Sequence, residues 1–239
     1  MKTEAIDLVT EADEAAEDLI RERVAEALPD AVFIGEEAVA ADPALLDRIA
    51  DADLAVIVDP IDGTFNYAAG LPLFGVMLSV VSRGETVAGI IYDPMGNDWL
   101  IAEKGSGAWM CAADGSQAQM AVAPPVPLDQ MVGIAALTYM ETAAKRQILA
   151  NLAEVRLFTS YRCSAHEYRT FAAGHLHFLM YKKLMPWDHL AGTLISQEAG
   201  AHVARLDGSP YLPHSFEGGL LLAPDRDSWR ELREKVFTL

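Results

Sequence analysis

The chain has 239 residues, 51% of them hydrophobic, which is material for one large core or for two small lobes sharing a cleft. A formal charge of −17 argues against nucleic-acid backbones as partners, because those are held by excess Lys and Arg. The longest apolar run is far below a membrane span and no basic-then-apolar leader opens the chain. A soluble, cytoplasmic protein with no membrane partner is expected. Cys111 and Cys163 are too few and too scattered for a disulfide framework or a zinc site.

In chain order, Thr10-Glu11-Ala12-Asp13 reads as a capping box with Asp in the Glu position. Ala16, Leu19, Ile20, Val24 and Leu28 follow at helical spacing, predicting a helix to about Leu28, stopped by Pro29. A strand at 32–34 is expected to deliver Glu36 and Glu37 into the loop beyond it. Residues 38–53 read as helix or loop, and 54–58 as a buried strand. The β-rich stretches 74–82, 86–92 and 98–102 are separated by turn-like linkers, which predicts an antiparallel meander. The Pro-rich patch 123–127 is the expected lobe boundary, dividing residues 1–123 from 124–239. Beyond it, helices at 141–152, 164–173, 188–199 and 227–236 alternate with strands near 155–158, 176–180 and 219–223. An N-terminal α+β lobe followed by a C-terminal α/β lobe is the fold class this predicts.

Val58-Asp59-Pro60-Ile61-Asp62-Gly63-Thr64 carries the most chemistry. Pro60 lacks a ladder donor, so it is expected to end the strand and splay Asp59 and Asp62 off its tip. Gly63 and Thr64 would then offer backbone N–H groups to an anion at the start of a helix. Carboxylates for a hard cation beside N–H groups for a phosphate are the parts of a metal-assisted phosphatase. The same letters also suit a D-G turn after a buried strand. Two more acidic segments weigh against that alternative: Gly35-Glu36-Glu37, and Trp187-Asp188-His189-Leu190-Ala191-Gly192. On a chain this negative, an anionic substrate needs the local sign reversed, and bound divalent cations do that.

Together these segments resemble the G-E-E, D-P-I-D-G-T and W-D-x-x-A-G signatures of the inositol monophosphatase family, in the same order. The resemblance extends to residues 7–10 with Asp13, and to 172–174, 207–211 and 218–219, so it covers nearly the whole chain. It implies the layered αβαβα sugar-phosphatase fold and a phosphomonoesterase acting on a small phosphorylated metabolite, such as inositol monophosphate or a similar sugar or polyol phosphate. It also implies two or three Mg²⁺ ions per site and, commonly, a homodimer, for which Trp99 and Trp109 are candidate surface residues. By the same resemblance, Asp59 bridges two ions, Glu36 and the Ile61 carbonyl hold the first, and Asp62 with Asp188 the second. Thr64 and Asp13 would orient a water and accept its proton, and Glu37 matches the family's second acid near that water. Asp62, Gly63, Thr64, Tyr181 and Asp188 would face the substrate.

Three departures stand out. Family members usually carry a complete first helix before the segment matching residues 7–10, and Met1 falls just ahead of it; either the start was assigned late or the domain is trimmed, and a missing helix would leave apolar surface uncovered. Tyr181 occupies the place of an acid that contacts inositol hydroxyls, and Arg162-Cys163 replace a small pair at a helix start. A Tyr can donate a hydrogen bond but cannot supply a carboxylate's charge. Poor activity on myo-inositol 1-phosphate is therefore expected, with histidinol phosphate, a sugar bisphosphate or an adenosine bisphosphate as alternatives. A non-catalytic binding member is a further alternative. His166, His175 and His177 are expected in surface or packing roles rather than as ligands.

Overall fold

The computed structural model describes residues 11–238, so the proposed Thr10 cap and the segment at 7–10 lie outside the described residues. Helix α1 (Glu11–Ala27) runs nearly to Leu28, as its spacing predicts. Its buried face is not the one the apolar letters suggest. Asp13 and Glu17 are buried on it, while Leu19 is 56% exposed. Strand β1 (Val32–Gly35) leads directly into helix α2 (Glu36–Ala41), so Glu36 and Glu37 open a helix instead of lying in a loop. A 3-10 turn and helix α3 (Arg48–Asp51) then lead to β2 (Leu54–Asp62).

Pro60 does not end β2. The strand runs on through it to Asp62, and its pairing with β3 (Gly75–Ser82) lapses between Asp59↔Met77 and Asp62↔Gly75. Pairing with β1 stops one residue earlier, at Gly35↔Val58. Pro60 therefore sits in an irregularity where no partner asks for its missing N–H, the position at which a strand tolerates proline. After the short helix α4 (Thr64–Ala68), the expected meander follows as β3, β4 (Glu85–Asp93) and β5 (Asp98–Glu103). It continues through β6 (Ala108–Ala112) and β7 (Gln117–Gln119), which the sequence reading did not include. These strands form one seven-stranded sheet in the order β1 to β7.

The second sheet takes its strands from later in the chain: β8 (Val132–Ala136), β9 (Leu157–Thr159), β10 (Phe178–Tyr181), β11 (His202–Arg205) and β12 (Leu220–Ala223), in the order β11-β12-β10-β8-β9. β8 runs parallel to both β9 and β10, and parallel neighbours require crossovers. The crossovers are helices α5 (Thr142–Asn151) and α6 (Ser164–Ala172); α7 (Pro186–Glu198) and α8 (Arg226–Lys235) complete the chain.

Five layers result. α1 and α2 lie against β1 and β2; α6 and α7 are sandwiched between the two sheets; α8 covers the far face of the second sheet, with α5 in the same core. β10 shows the arrangement in four residues. Leu179 and Tyr181 face the α6–α7 core, whereas Phe178 and Met180 face the α5–α8 core. The α6–α7 layer can approach both sheets because small residues line its path. A Cβ on Gly89 of β4 would lie 2.9 Å from the Ala191 Cα, and one on Gly192 would lie 2.2 Å from the Tyr168 ring. That explains the physical use of Ala191-Gly192. The expected surface candidates Trp99 and Trp109 are half-buried, while Ile90, on a neighbouring strand, is 39% exposed.

Candidate active site

The C-terminal end of β2, the N-terminus of α7 and the N-terminus of α6 meet around a cavity of ≈ 270 Å³. Asp59 and Asp62 come from β2, and Asp188 from the first turn of α7. Carboxylate oxygens of these three residues lie within 4.8 Å of one another. Glu36, at the start of α2, lines the same cavity. Helix α7 begins at Pro186 with Met185 as its N-cap, so Asp188 lies inside the helix and is not its cap.

Such an assembly of acids is costly. Burial, then Glu36, Asp62 and Asp188, push the Asp59 carboxyl well above the usual carboxylate range. Asp188 is pushed up to about 8 by burial, Asp62 and Glu36, although its side chain keeps some opening to the cavity. Asp59 Oδ1 is buried with no hydrogen-bond partner among the described residues. An orphaned carboxylate oxygen facing two further acids is the arrangement a cation would satisfy. The donors are all oxygens, which suits a hard ion such as Mg²⁺.

Asp62 is held from the start of α6. Its Oδ2 accepts from the Ala165 N–H at 2.5 Å and lies 3.1 Å from Cys163 Sγ. Burial raises the Asp62 carboxyl, and these contacts at the start of α6 partly offset the rise. Cys163 is buried in the α6–α7 core, and it also has a polar task. Burial pushes its thiol far up, so it remains a protonated donor to Asp62. Gly63 joins β2 to α4 at φ +88°, where a side chain is strained and a Cβ would lie 2.9 Å from the Leu73 carbonyl.

Thr64 Oγ1 is 3.2 Å from Asp13 Oδ1 and 3.0 Å from the Ile61 carbonyl. Asp13 reaches this point from α1, fully buried. Glu37, half-buried in α2, is not among the residues lining the cavity. Its N–H instead donates to Glu17 Oε2 at 2.8 Å, and the Ala38 N–H donates to Oε1 at 3.0 Å. Glu17 thus caps α2 from α1 and orients the turn that carries Glu36. It also dictates Gly35, where a Cβ would lie 2.2 Å from the Glu17 carboxylate.

The sequence reading passed over Glu17 because mid-helix acids are normally solvated; its signal is that Asp13 and Glu17 fall four apart on one stripe. It also passed over Glu167, which lines the cavity from α6 and is buried. Ser164-Ala165-His166-Glu167 reads as a capping box, and that local pattern disguises the residue's position. Tyr181 lines the cavity as expected. The histidines do not gather into a ligand set: His166 Nε2 meets the Phe74 carbonyl, His177 Nδ1 accepts from the Val132 N–H, and His175 is exposed.

His189 has a definable tautomer. Its Nε2 lies 2.9 Å from the Lys183 carbonyl, which can only accept, so Nδ1 accepts from the Tyr168 hydroxyl at 3.1 Å. Burial lowers this imidazole to about 4, keeping it neutral. The loop bearing Lys182 and Lys183 is thereby tied to α6 and α7.

The sequence profile of the inositol monophosphatase family matches residues 1–237. The chain belongs to that family. A fructose-1,6-bisphosphatase/inositol-1-monophosphatase of Thermotoga maritima is 30% identical over 87% of this chain and 75% of its own length. A Nus factor SuhB of Vibrio cholerae is 31% identical over 84% of this chain and 73% of its own. Among solved structures, the extragenic suppressor protein suhB of Bartonella henselae superposes with a TM-score of 0.83 at 27% identity, covering 99% of this chain and 88% of that one. The layered αβαβα architecture implied by the motifs is the fold observed. No helix among the described residues is long and apolar enough to cross a membrane.

Proposed function

We propose that this family member is a Mg²⁺-dependent phosphomonoesterase acting on a small phosphorylated metabolite. The observation that carries the reading is the orphaned, buried Asp59 Oδ1 amid Asp62 and Asp188, a few residues from the Thr64–Asp13 pair. Glu36, Asp59 and the Ile61 carbonyl would hold one ion, and Asp59, Asp62 and Asp188 a second. The ions supply positive charge that draws in the phosphate and stabilises negative charge developing on it. Thr64 holds the attacking water, and Asp13, hydrogen-bonded to the Thr64 hydroxyl, takes up the proton released. Gly63 and Thr64 present backbone N–H groups to the phosphate. Glu167, Tyr181, Arg162, Lys182 and Lys183, which line the same cavity, face the alcohol that leaves.

Relatives bearing the name Nus factor SuhB favour a second reading, a member that binds a partner without turnover. The complete set of cavity acids together with Thr64 weighs against it. Phosphate release from a panel of phosphomonoesters, with Mg²⁺ and with chelator, separates the two. Turnover that requires the metal is expected. Turnover undiminished by chelator, or none on any substrate with Mg²⁺ present, would reject the proposal.

A further inference from the structure

The short segment between β10 and α7 carries Lys183, whose backbone is anchored from inside the protein. His189, in the first turn of α7 and 2% exposed, places its Nε2 2.9 Å from the Lys183 carbonyl. That carbonyl can only accept, so Nε2 donates, while the Tyr168 hydroxyl at 3.1 Å fixes the ring on its other side. His189 directly follows Asp188. The bond that anchors Lys183 therefore ties it to the helix turn that bears one carboxylate of the acid cluster. Lys183 and Asp188 line the same cavity, with Asp59, Asp62 and Glu36. The side chain is directed as well: its Nζ stands 4.9 Å from the ring centroid of Tyr139, another residue of the cavity wall. Lys183 partly offsets the rise of the Asp188 carboxyl.

We infer that Lys183 is a tethered counter-charge to the acid cluster, one that weakens the hold on the divalent ion at Asp188 and strengthens the hold on phosphate. The inference rests on the metal-dependent reading and concerns its charge balance. Glu36, Asp59, Asp62 and Asp188 carry at most four negative charges, which two divalent ions would cancel. A lysine beside them makes the loaded site net positive. Entry of the ion is then opposed, and entry of a phosphate dianion is favoured. One side chain thus acts in opposite directions on the two ligands, which a residue that merely supports the fold would not do. Lys183 is exposed, so water and salt screen its charge; the effect is modest and depends on ionic strength.

The test is titration calorimetry on the full chain, first with Mg²⁺ and then with inorganic phosphate on the Mg²⁺-loaded protein, at low and at high ionic strength. Lys183→Gln should bind Mg²⁺ about three- to tenfold more tightly at low salt and phosphate more weakly by a similar factor, both differences shrinking in high salt. Lys183→Arg, which keeps the charge, should stay near wild type. Unchanged or weaker Mg²⁺ binding by Lys183→Gln would overturn the proposal, and weaker phosphate binding with Mg²⁺ unaltered would make Lys183 a contact of the anion alone. The same gain in Lys182→Gln would also overturn it, since the charge would then act from anywhere on the segment. A wild type that binds no Mg²⁺ would instead reject the metal-dependent reading itself. Unfolding temperatures identify a Gln variant that fails to fold; Lys183→Met, which keeps the apolar stem against Tyr139, then decides.

Discussion

At the metal-facing side of the cavity, Asp59, Asp62 and Asp188 crowd their charges together, and Lys183, which partly offsets the rise at Asp188, is exposed. On the leaving-group side a single acid, Glu167, accepts from the Tyr161 N–H and neighbours the Tyr181 hydroxyl, in a cavity also lined by three cations. The first side is unstable as a set of charges and calls for ions. The second has its acid held by neighbouring groups of the chain. Burial raises the carboxyls on both sides, but a divalent ion can relieve only the first.

The largest effect that would break this contrast is expected from Asp59→Asn. Removing the residue proposed to touch both ions should lower kcat on any good substrate by roughly a thousandfold. In chelator the same change should raise the unfolding temperature, because it removes a charge from a repelling cluster. A variant near wild-type kcat that still binds metal would refute the bridging role.

The next effect concerns pH and metal together. Asp188 is raised to about 8 and Glu167 to about 7 in the fold, both above their unfolded values. Groups shifted this way lend stability that is complete below the unfolded pKa and is lost as pH rises through the folded one. Metal-free protein should therefore lose stability from about pH 5 to about pH 9, followed by thermal unfolding. Mg²⁺ should abolish the Asp188 share and leave the Glu167 share, so its stabilising effect grows with pH. A Mg²⁺ effect that is flat across that range would mean the aspartates are not where the ion binds.

A smaller effect tests what seats both sides. Gly192→Ala would drive a methyl into the Tyr168 ring and should cost about 1–3 kcal/mol in chemical denaturation. Because Tyr168 holds His189 and stacks on Tyr181, selectivity should change along with stability. Unaltered stability would show that α6 can shift freely, contrary to its packing. The smallest effect is expected from Tyr181→Phe, which removes one buried hydroxyl beside Glu167. Stability should move by less than about 1 kcal/mol and kcat on phenyl phosphate by little, with the change confined to hydroxyl-bearing esters. A collapse of kcat on every substrate would place Tyr181 in the chemical step instead.

The metal-facing side was legible in the linear chain because its residues sit in short motifs whose chemistry is local: a strand end with two acids, a glycine at positive φ, a threonine after it. Most helices and the meander were legible for the same reason, since periodicity and turn residues act over a few positions. The strands β6, β7, β8 and β11 were not: β7 and β11 are edge segments, and all four gain strand geometry from the neighbours they pair with. Pro60 misled because its missing N–H matters only if a partner strand needs it, and pairing lapses at that point.

The leaving-group side depended on tertiary structure throughout. Tyr181 read alone suggested that a carboxylate had been lost, yet α6 supplies Glu167 to the same cavity. Glu17 looked like a solvated helix acid until α2 was seen to start on it, and Cys163 looked apolar until its thiol met Asp62. The sequence by itself carried the fold class and the order of the acidic motifs, whose assignment to one site rested on their resemblance to a family. Which side chains complete the site was decided only when α1, α6 and α7 packed against the sheets, since burial and partnership exist only between segments distant in the chain.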